Sequence, residues 1–212
     1  MGIFLKRTVN NSSIIGVWDI TESVDVLLSQ IKLNKEEQER YDCFGNDLRR
    51  LHWLSYRNLL KELIPPEEYS HVIYDDCGKP YMENNLHFLS VAHSGKFSAA
   101  IVSKRKQVGI DIEMIHPKIE KVVSKFLSET EKEQITEKDR LEQLFIHWAA
   151  KEALYKLYGR KELDFKVNMF INPFSYAEKG ELIAAIKNEE MDRNFNLHYE
   201  KIENYMMVYM TE

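Results

Sequence analysis

Three carboxylates and a lysine are the residues of this chain best placed to do chemistry together. Two of the acids sit in the β-rich run Val108-Gly109-Ile110-Asp111-Ile112-Glu113-Met114-Ile115. Alternation along a strand sends Asp111 and Glu113 to one face and Ile110 and Ile112 to the other. Like charges on one face of an otherwise buried strand repel and resist burial, so their natural complement is a cation. Hard oxygen ligands of this kind suit Mg²⁺. An Asp-x-Glu pair alone equally describes solvated acids on the outer face of a strand. A second stretch, His147-Trp148-Ala149-Ala150-Lys151-Glu152-Ala153-Leu154-Tyr155-Lys156, follows some way downstream. On a helix, Trp148, Glu152 and Tyr155 share one side, and Glu152 with Lys156 also suffices as an i, i+4 ion pair.

Other polar groups cluster upstream. Arg50 and Arg57 lie two helical turns apart, so both guanidinium groups could grip one polyanion, or simply form a solvated basic face. Gly78-Lys79-Pro80 lets the backbone approach a ligand closely beside a lysine leaving a turn, and alone it is a turn. His93 is expected in a polar turn with Ser94 and Gly95, where its ring can donate to a phosphate. A histidine between two strands is otherwise more often structural. The basic connection Lys104-Arg105-Lys106-Gln107 reads as a solvated turn.

The elements that must position these groups follow from periodicity and punctuation. Ile14-Ile15-Gly16-Val17-Trp18-Asp19-Ile20 reads as the first strand, with Thr21 as an N-cap ahead of Val24, Leu27, Leu28 and Ile31 at helical spacing. Asn34 opens a polar helical turn through Arg40. Residues 47–63 read as a longer helix ended by Pro65-Pro66. Strands are expected around residues 71–74, 86–91 and 97–102, the last two joined through residues 92–96. After His116-Pro117 come helical stretches around residues 122–127 and from Ser128. A helix then spans about residues 139–158, with Gly159 as its C-terminal stop. Short alternating runs at 170–171, 182–186, 196–199 and 206–209 suggest strands closing a sheet. No fixed-period repeat is visible.

Composition narrows the classes. The 212 residues can bury a sizeable core in one domain or two joined halves, and 44% hydrophobic with 30% charged residues is ordinary for a globular protein. A formal charge of −5 is the wrong sign for holding a nucleic-acid backbone, so an anion site must be a local cluster. Cys43 and Cys77 form neither a CxxC pair nor a zinc spacing and read as reduced. No apolar run is long enough for a secretory signal or a membrane span, and the expected location is cytoplasmic.

Taken in order, Gly109-Ile110-Asp111-Ile112-Glu113 and Trp148-Ala149-Ala150-Lys151-Glu152-Ala153-Leu154-Tyr155-Lys156 resemble the signature motifs of the 4′-phosphopantetheinyl transferases, G-x-D-x-E and W-x-x-K-E-A-x-x-K. Arg57, Gly78-Lys79-Pro80, Ser90-Val91-Ala92-His93-Ser94-Gly95 and Phe126-Leu127-Ser128-Glu129-Thr130-Glu131 fit the family's order, although Ala92 stands where better-matched members have serine. Length resembles the larger Sfp type. The resemblance implies an α+β fold of two similar halves, 1–105 with the coenzyme A contacts and 106–212 with the catalytic motifs, packed as a pseudo-dimer around the active site. It implies transfer of the 4′-phosphopantetheine arm of coenzyme A to a serine of an apo acyl or peptidyl carrier protein, releasing 3′,5′-ADP. This would be holo-acyl-carrier-protein synthase activity in fatty-acid, polyketide or nonribosomal peptide biosynthesis. Asp111, Glu113 and Glu152 would hold Mg²⁺, with Mn²⁺ as a substitute, and Glu152, Lys156 and Asp111 would be catalytic. Arg50, Arg57, Gly78, Lys79, Pro80, His93, Ser94, Lys151 and Lys156 would contact coenzyme A. A monomer is expected, with no nucleic-acid or membrane partner. Two other readings are a non-catalytic coenzyme A or carrier-protein binding module and a structural α+β domain with unrelated surface acids.

Overall fold

The Val-Gly-Ile-Asp-Ile-Glu-Met run forms a strand, and the helix carrying the second acid motif packs on it. The computed structural model describes residues 2–159 and 163–212. The chain divides into two units, residues 1–108 and 109–212, each built on its own antiparallel sheet and one long helix. Among the described residues no helix is long and apolar enough to cross a membrane.

In the first unit β1 (Ile3–Asn10) and β2 (Ser13–Asp19) form an antiparallel hairpin. Sequence reading starts the sheet at Ile14 and misses β1, whose side chains are exposed or half-buried along a sheet edge instead of forming an apolar run. The cap of α1 (Val24–Ser29) is Ser23 rather than Thr21, because the Ser23 hydroxyl accepts the Val26 N–H. Asn34 caps α2 (Lys35–Asp42) in a reciprocal capping box with Glu37. The long helix α3 (Asp47–Leu63) has the expected bounds and stops ahead of Pro65-Pro66. Its Leu54, Leu59, Leu60 and Leu63 join Trp18, Leu89, Ala100 and Val102 in the core of this unit. A small hairpin of β3 (Val72–Tyr74) and β4 (Pro80–Met82) follows. Next come β5 (Phe88–Ser94) and β6 (Phe97–Ser103), giving the sheet order β1-β2-β6-β5. Here too the structure corrects a boundary: His93 pairs with Ser98 and Ser94 with Phe97, so both lie in β5 and not in a turn. Gly95, at φ 54°, and Lys96 alone make the connection, since the left-handed conformation there closes a two-residue hairpin.

All of β7 (Val108–Met114) but its first residue lies in the second unit. A 3₁₀ turn at Pro117–Val122 leads into α4 (Val123–Phe126), and Ser128 caps α5 (Glu129–Gln134) in a second capping box, with Glu131. Helix α6 (Arg140–Tyr158) stops at Gly159, whose φ of 72° makes the left-handed cap. Strands β8 (Met169–Ile171), β9 (Lys179–Lys187), β10 (Asp192–Ile202) and β11 (Tyr205–Thr211) complete a sheet of order β7-β11-β10-β9-β8. These strands cover the four late runs expected from alternation. Gly109 sets how near β7 and α6 come: a Cβ there would lie 2.2 Å from the Ala153 carbonyl oxygen.

Candidate active site

Glycine at 109 brings the strand against the helix, and alternation then aims Asp111 and Glu113 at α6. Asp111 is buried at 5% exposure, and its Oδ1 accepts a hydrogen bond from Lys156 Nζ at 2.7 Å. The same ammonium donates to the Ile110 carbonyl at 3.1 Å, so one lysine spans two successive residues of β7. Asp111 Oδ2 is buried and has no hydrogen-bond partner among the described residues. Glu113 accepts from the Trp148 indole Nε1 at 3.4 Å, a contact that places the tryptophan one turn before Glu152 on the same side of α6. Glu152 itself is pushed up to about 7, first by burial and then by the charge of Asp111, with Glu113 adding to it and Lys156 opposing. Two neighbouring carboxylates and partial loss of water leave the third one poised between its charged and neutral forms near neutral pH.

Among the described residues no group of three or more His, Cys, Asp or Glu side chains is drawn together closely enough to hold a metal ion. Asp111 is neutralised by Lys156 in the structure as it stands. The donor chemistry nevertheless suits a hard divalent cation: Asp111 keeps an orphaned buried oxygen, and Glu152 is opposed by the charges of Asp111 and Glu113.

Lys151 lies beside Glu152 in the sequence yet faces the interior. It is 0% exposed, and its ammonium donates to the Phe126 carbonyl at 2.7 Å, the Glu131 carboxylate at 2.8 Å and the Phe165 carbonyl at 2.9 Å. All three N–H groups are thereby used inside the unit. Burial pulls its ammonium below the usual lysine range. Glu131 in turn accepts from Ser128 and from the Ile171 backbone N–H, tying α5, α6 and β8 together. The capping-box spacing of Ser128 and Glu131 is legible in the sequence; the partner at Lys151 is not.

In the first unit Arg57 is likewise fully buried. Its Nε meets Glu37 Oε1 at 3.3 Å, its Nη2 donates to the Val72 carbonyl, and its guanidinium lies 3.4 Å from the centroid of the Trp53 ring. Arg50, one-third exposed, pairs with Asp47 at 3.1 Å and keeps a buried Nε without a hydrogen-bond partner among the described residues. The Asp75 carboxylate accepts from the Cys77 and Lys79 N–H groups and shapes the turn in which Gly78 adopts φ 85°, leading to Pro80 at the start of β4. Burial lowers the Lys79 ammonium from its usual range. Ser94 ends β5 half-buried, and His93 beside it is exposed. The His93 ring stacks on that of His52, a residue of α3 that the sequence gives no reason to single out. Ala92 is buried and pairs with Ala99.

Residues 107–207 match the family model described as the 4′-phosphopantetheinyl transferase superfamily. The chain is similar to the 4′-phosphopantetheinyl transferase AcpT of Escherichia coli K12, with 30% identity over 117 residues, or 52% of this chain and 59% of that protein. AcpT of Salmonella typhimurium is 29% identical over 118 residues, covering 53% and 60% of the two chains. A 4′-phosphopantetheinyl transferase of Bacillus subtilis is 34% identical over 90 residues, covering 40% and 39%. The match thus spans about three-fifths of the length of the AcpT relatives.

Proposed function

We propose that this chain, whose residues 107–207 match the model of the 4′-phosphopantetheinyl transferase superfamily, transfers the 4′-phosphopantetheine arm of coenzyme A to a serine of an apo acyl or peptidyl carrier protein. The observation that carries the proposal is the placing of Asp111 and Glu113 on β7 against Trp148 and Lys156 on α6, with Glu152 on the same helix close enough to feel the charges of both acids. In this reading the serine Oγ bonds to the phosphorus bearing the pantetheine arm. The bond from that phosphorus to the bridging oxygen breaks, and 3′,5′-ADP leaves with that oxygen. Glu152 takes the serine proton as a general base. Lys156 uses two of its three N–H groups on Asp111 and the Ile110 carbonyl, leaving one for a phosphate oxygen where charge grows. Asp111, Glu113 and Glu152 would hold Mg²⁺, or Mn²⁺ in its place; when bound, the ion compensates the charge of the pyrophosphate. Arg50, Lys79, His93 and Ser94 are proposed for coenzyme A. Arg57 and Lys151 are left out of that set, because their buried polar contacts already engage them. A shared run of one strand, short helices, a long helix and four strands in both units supports placing the chain in the larger, two-half branch.

The deciding experiment is intact-mass spectrometry of a panel of apo carrier proteins incubated with coenzyme A, Mg²⁺ and this protein, with EDTA as control. The expected result is a metal-dependent gain of one phosphopantetheine on at least one carrier, lost in Asp111→Ala with the fold intact by circular dichroism. The panel also separates fatty-acid, polyketide and peptide-synthetase carriers. Turnover that survives Asp111→Ala or EDTA overturns the assignment of the acids. Coenzyme A binding with no transfer to any carrier points instead to a binding module.

A further inference from the structure

We propose that His52 is a positioning residue that holds the His93 imidazole ready for a phosphate of coenzyme A; the inference rests on the reading above, in which His93 is a coenzyme A contact. His52 stands on α3 and is 8% exposed, whereas His93 near the end of β5 is exposed. Their rings lie 4.3 Å apart, centroid to centroid, and within 12° of parallel. The His52 Nε2 is 2.8 Å from the Gly95 carbonyl oxygen, so it carries its proton there and donates it. One side chain therefore grips both the end of β5, through the stack, and the turn that follows it, through the hydrogen bond.

The consequence is preorganisation. An exposed imidazole near a hairpin tip samples several rotamers, and fixing it on a ligand costs conformational entropy. The stack removes that freedom before the ligand arrives. Stacking uses the face of the His93 ring, whereas hydrogen bonds to phosphate run from its edge, so the two do not compete. The bond to Gly95 holds the left-handed turn, and with it the neighbouring Ser94, in register with the ring.

Isothermal titration of coenzyme A into the full chain tests this with four proteins: wild type, His52→Ala, His93→Ala and the double variant. Loss of affinity of about fivefold is expected for His52→Ala, with the double variant no weaker than His93→Ala alone, because His52 acts through His93. His52→Phe keeps a ring for the stack and discards the bond to Gly95, and it is expected to recover part of the affinity. An equal further loss when His52→Ala is added to His93→Ala overturns the proposal, since His52 would then act independently of that ring. Wild-type affinity in His93→Ala also overturns it while leaving the transfer reaction untouched. A wild-type chain that binds no coenzyme A removes the functional reading and this inference together.

Discussion

The two units solve the same packing problem with the same parts and differ where chemistry is proposed. In the first, Arg57 on the long helix is buried against Glu37, the capping-box partner of Asn34; in the second, Lys151 on the long helix is buried against Glu131, the capping-box partner of Ser128. The members of each ion pair are 20 residues apart. The steps from Asn34 to Ser128, Glu37 to Glu131 and Arg57 to Lys151 are all 94 residues. A strand glycine then meets the long helix at matching places, Gly16 at Leu59 and Gly109 at Ala153, again 94 apart on the helix. In each unit the final strand, β6 or β11, lies beside the strand that precedes the helices, β2 or β7.

Against that shared frame the differences are informative. Two residues past the glycine stands Trp18 in the first unit, in its apolar core, and Asp111 in the second, paired with Lys156. The helix position after the buried cation holds Asn58, satisfied by the Leu27 and Leu54 carbonyls, in one unit and Glu152, raised by its acidic neighbours, in the other. A polar feature present in both units belongs to the scaffold. One present only in the second is a candidate for function. By that criterion Lys151 is architecture although it sits inside the motif, and Asp111, Glu113 and Glu152 are not.

The largest effect that would break this comparison is on stability. Lys151→Met leaves Glu131 charged, buried and without its cation, and is expected to cost about 3–5 kcal/mol in urea unfolding, with Arg57→Met costing less in the first unit, where Glu37 keeps the His71 ring at 2.8 Å. Adding Glu131→Gln to Lys151→Met should restore most of the loss. If Lys151→Met unfolds like the wild type and only phosphate binding suffers, the parallel between the units fails. A smaller effect separates the two glycines. Gly109→Ala drives a Cβ into the Ala153 backbone and should cost about 1–3 kcal/mol, whereas Gly16→Ala meets the movable ends of Leu59 and Leu63 and should cost less, as thermal melts of both variants will resolve.

A further effect is the pH dependence that Glu152 gives to the second unit. Glu152 holds its proton more tightly folded, at about 7, than at its ordinary value of 4.5. Its contribution to stability is therefore full below about 4.5 and is lost as pH rises through 7, so the melting temperature of the metal-free protein should fall by a few degrees across that window. Glu152→Gln should flatten this slope, and Asn58→Ala should leave it in place.

Much of this was legible beforehand. The bounds of α3, the Asn34 and Ser128 caps and the Gly159 stop follow from local signals: periodicity, side-chain oxygens before a helix, glycine after it. What escaped were pairings across distance and an edge strand without apolar alternation. The repeat is invisible as identity because a buried arginine and a buried lysine, or an asparagine and a serine cap, do the same physical work with different letters. The tryptophan and aspartate at matching strand positions do opposite work.

The amino-acid sequence by itself determined most of the elements, the ends of the long helices and the inventory of acids and bases, because helix caps, strand alternation and turn glycines act between residues close in the chain. Only the tertiary structure decided which charges are spent inside and which face one another. Whether an ammonium meets three interior acceptors, as in Lys151, or a strand carboxylate, as in Lys156, depends on which backbone packs against its helix. That is a matter of burial and distance, to which residue type and spacing are blind.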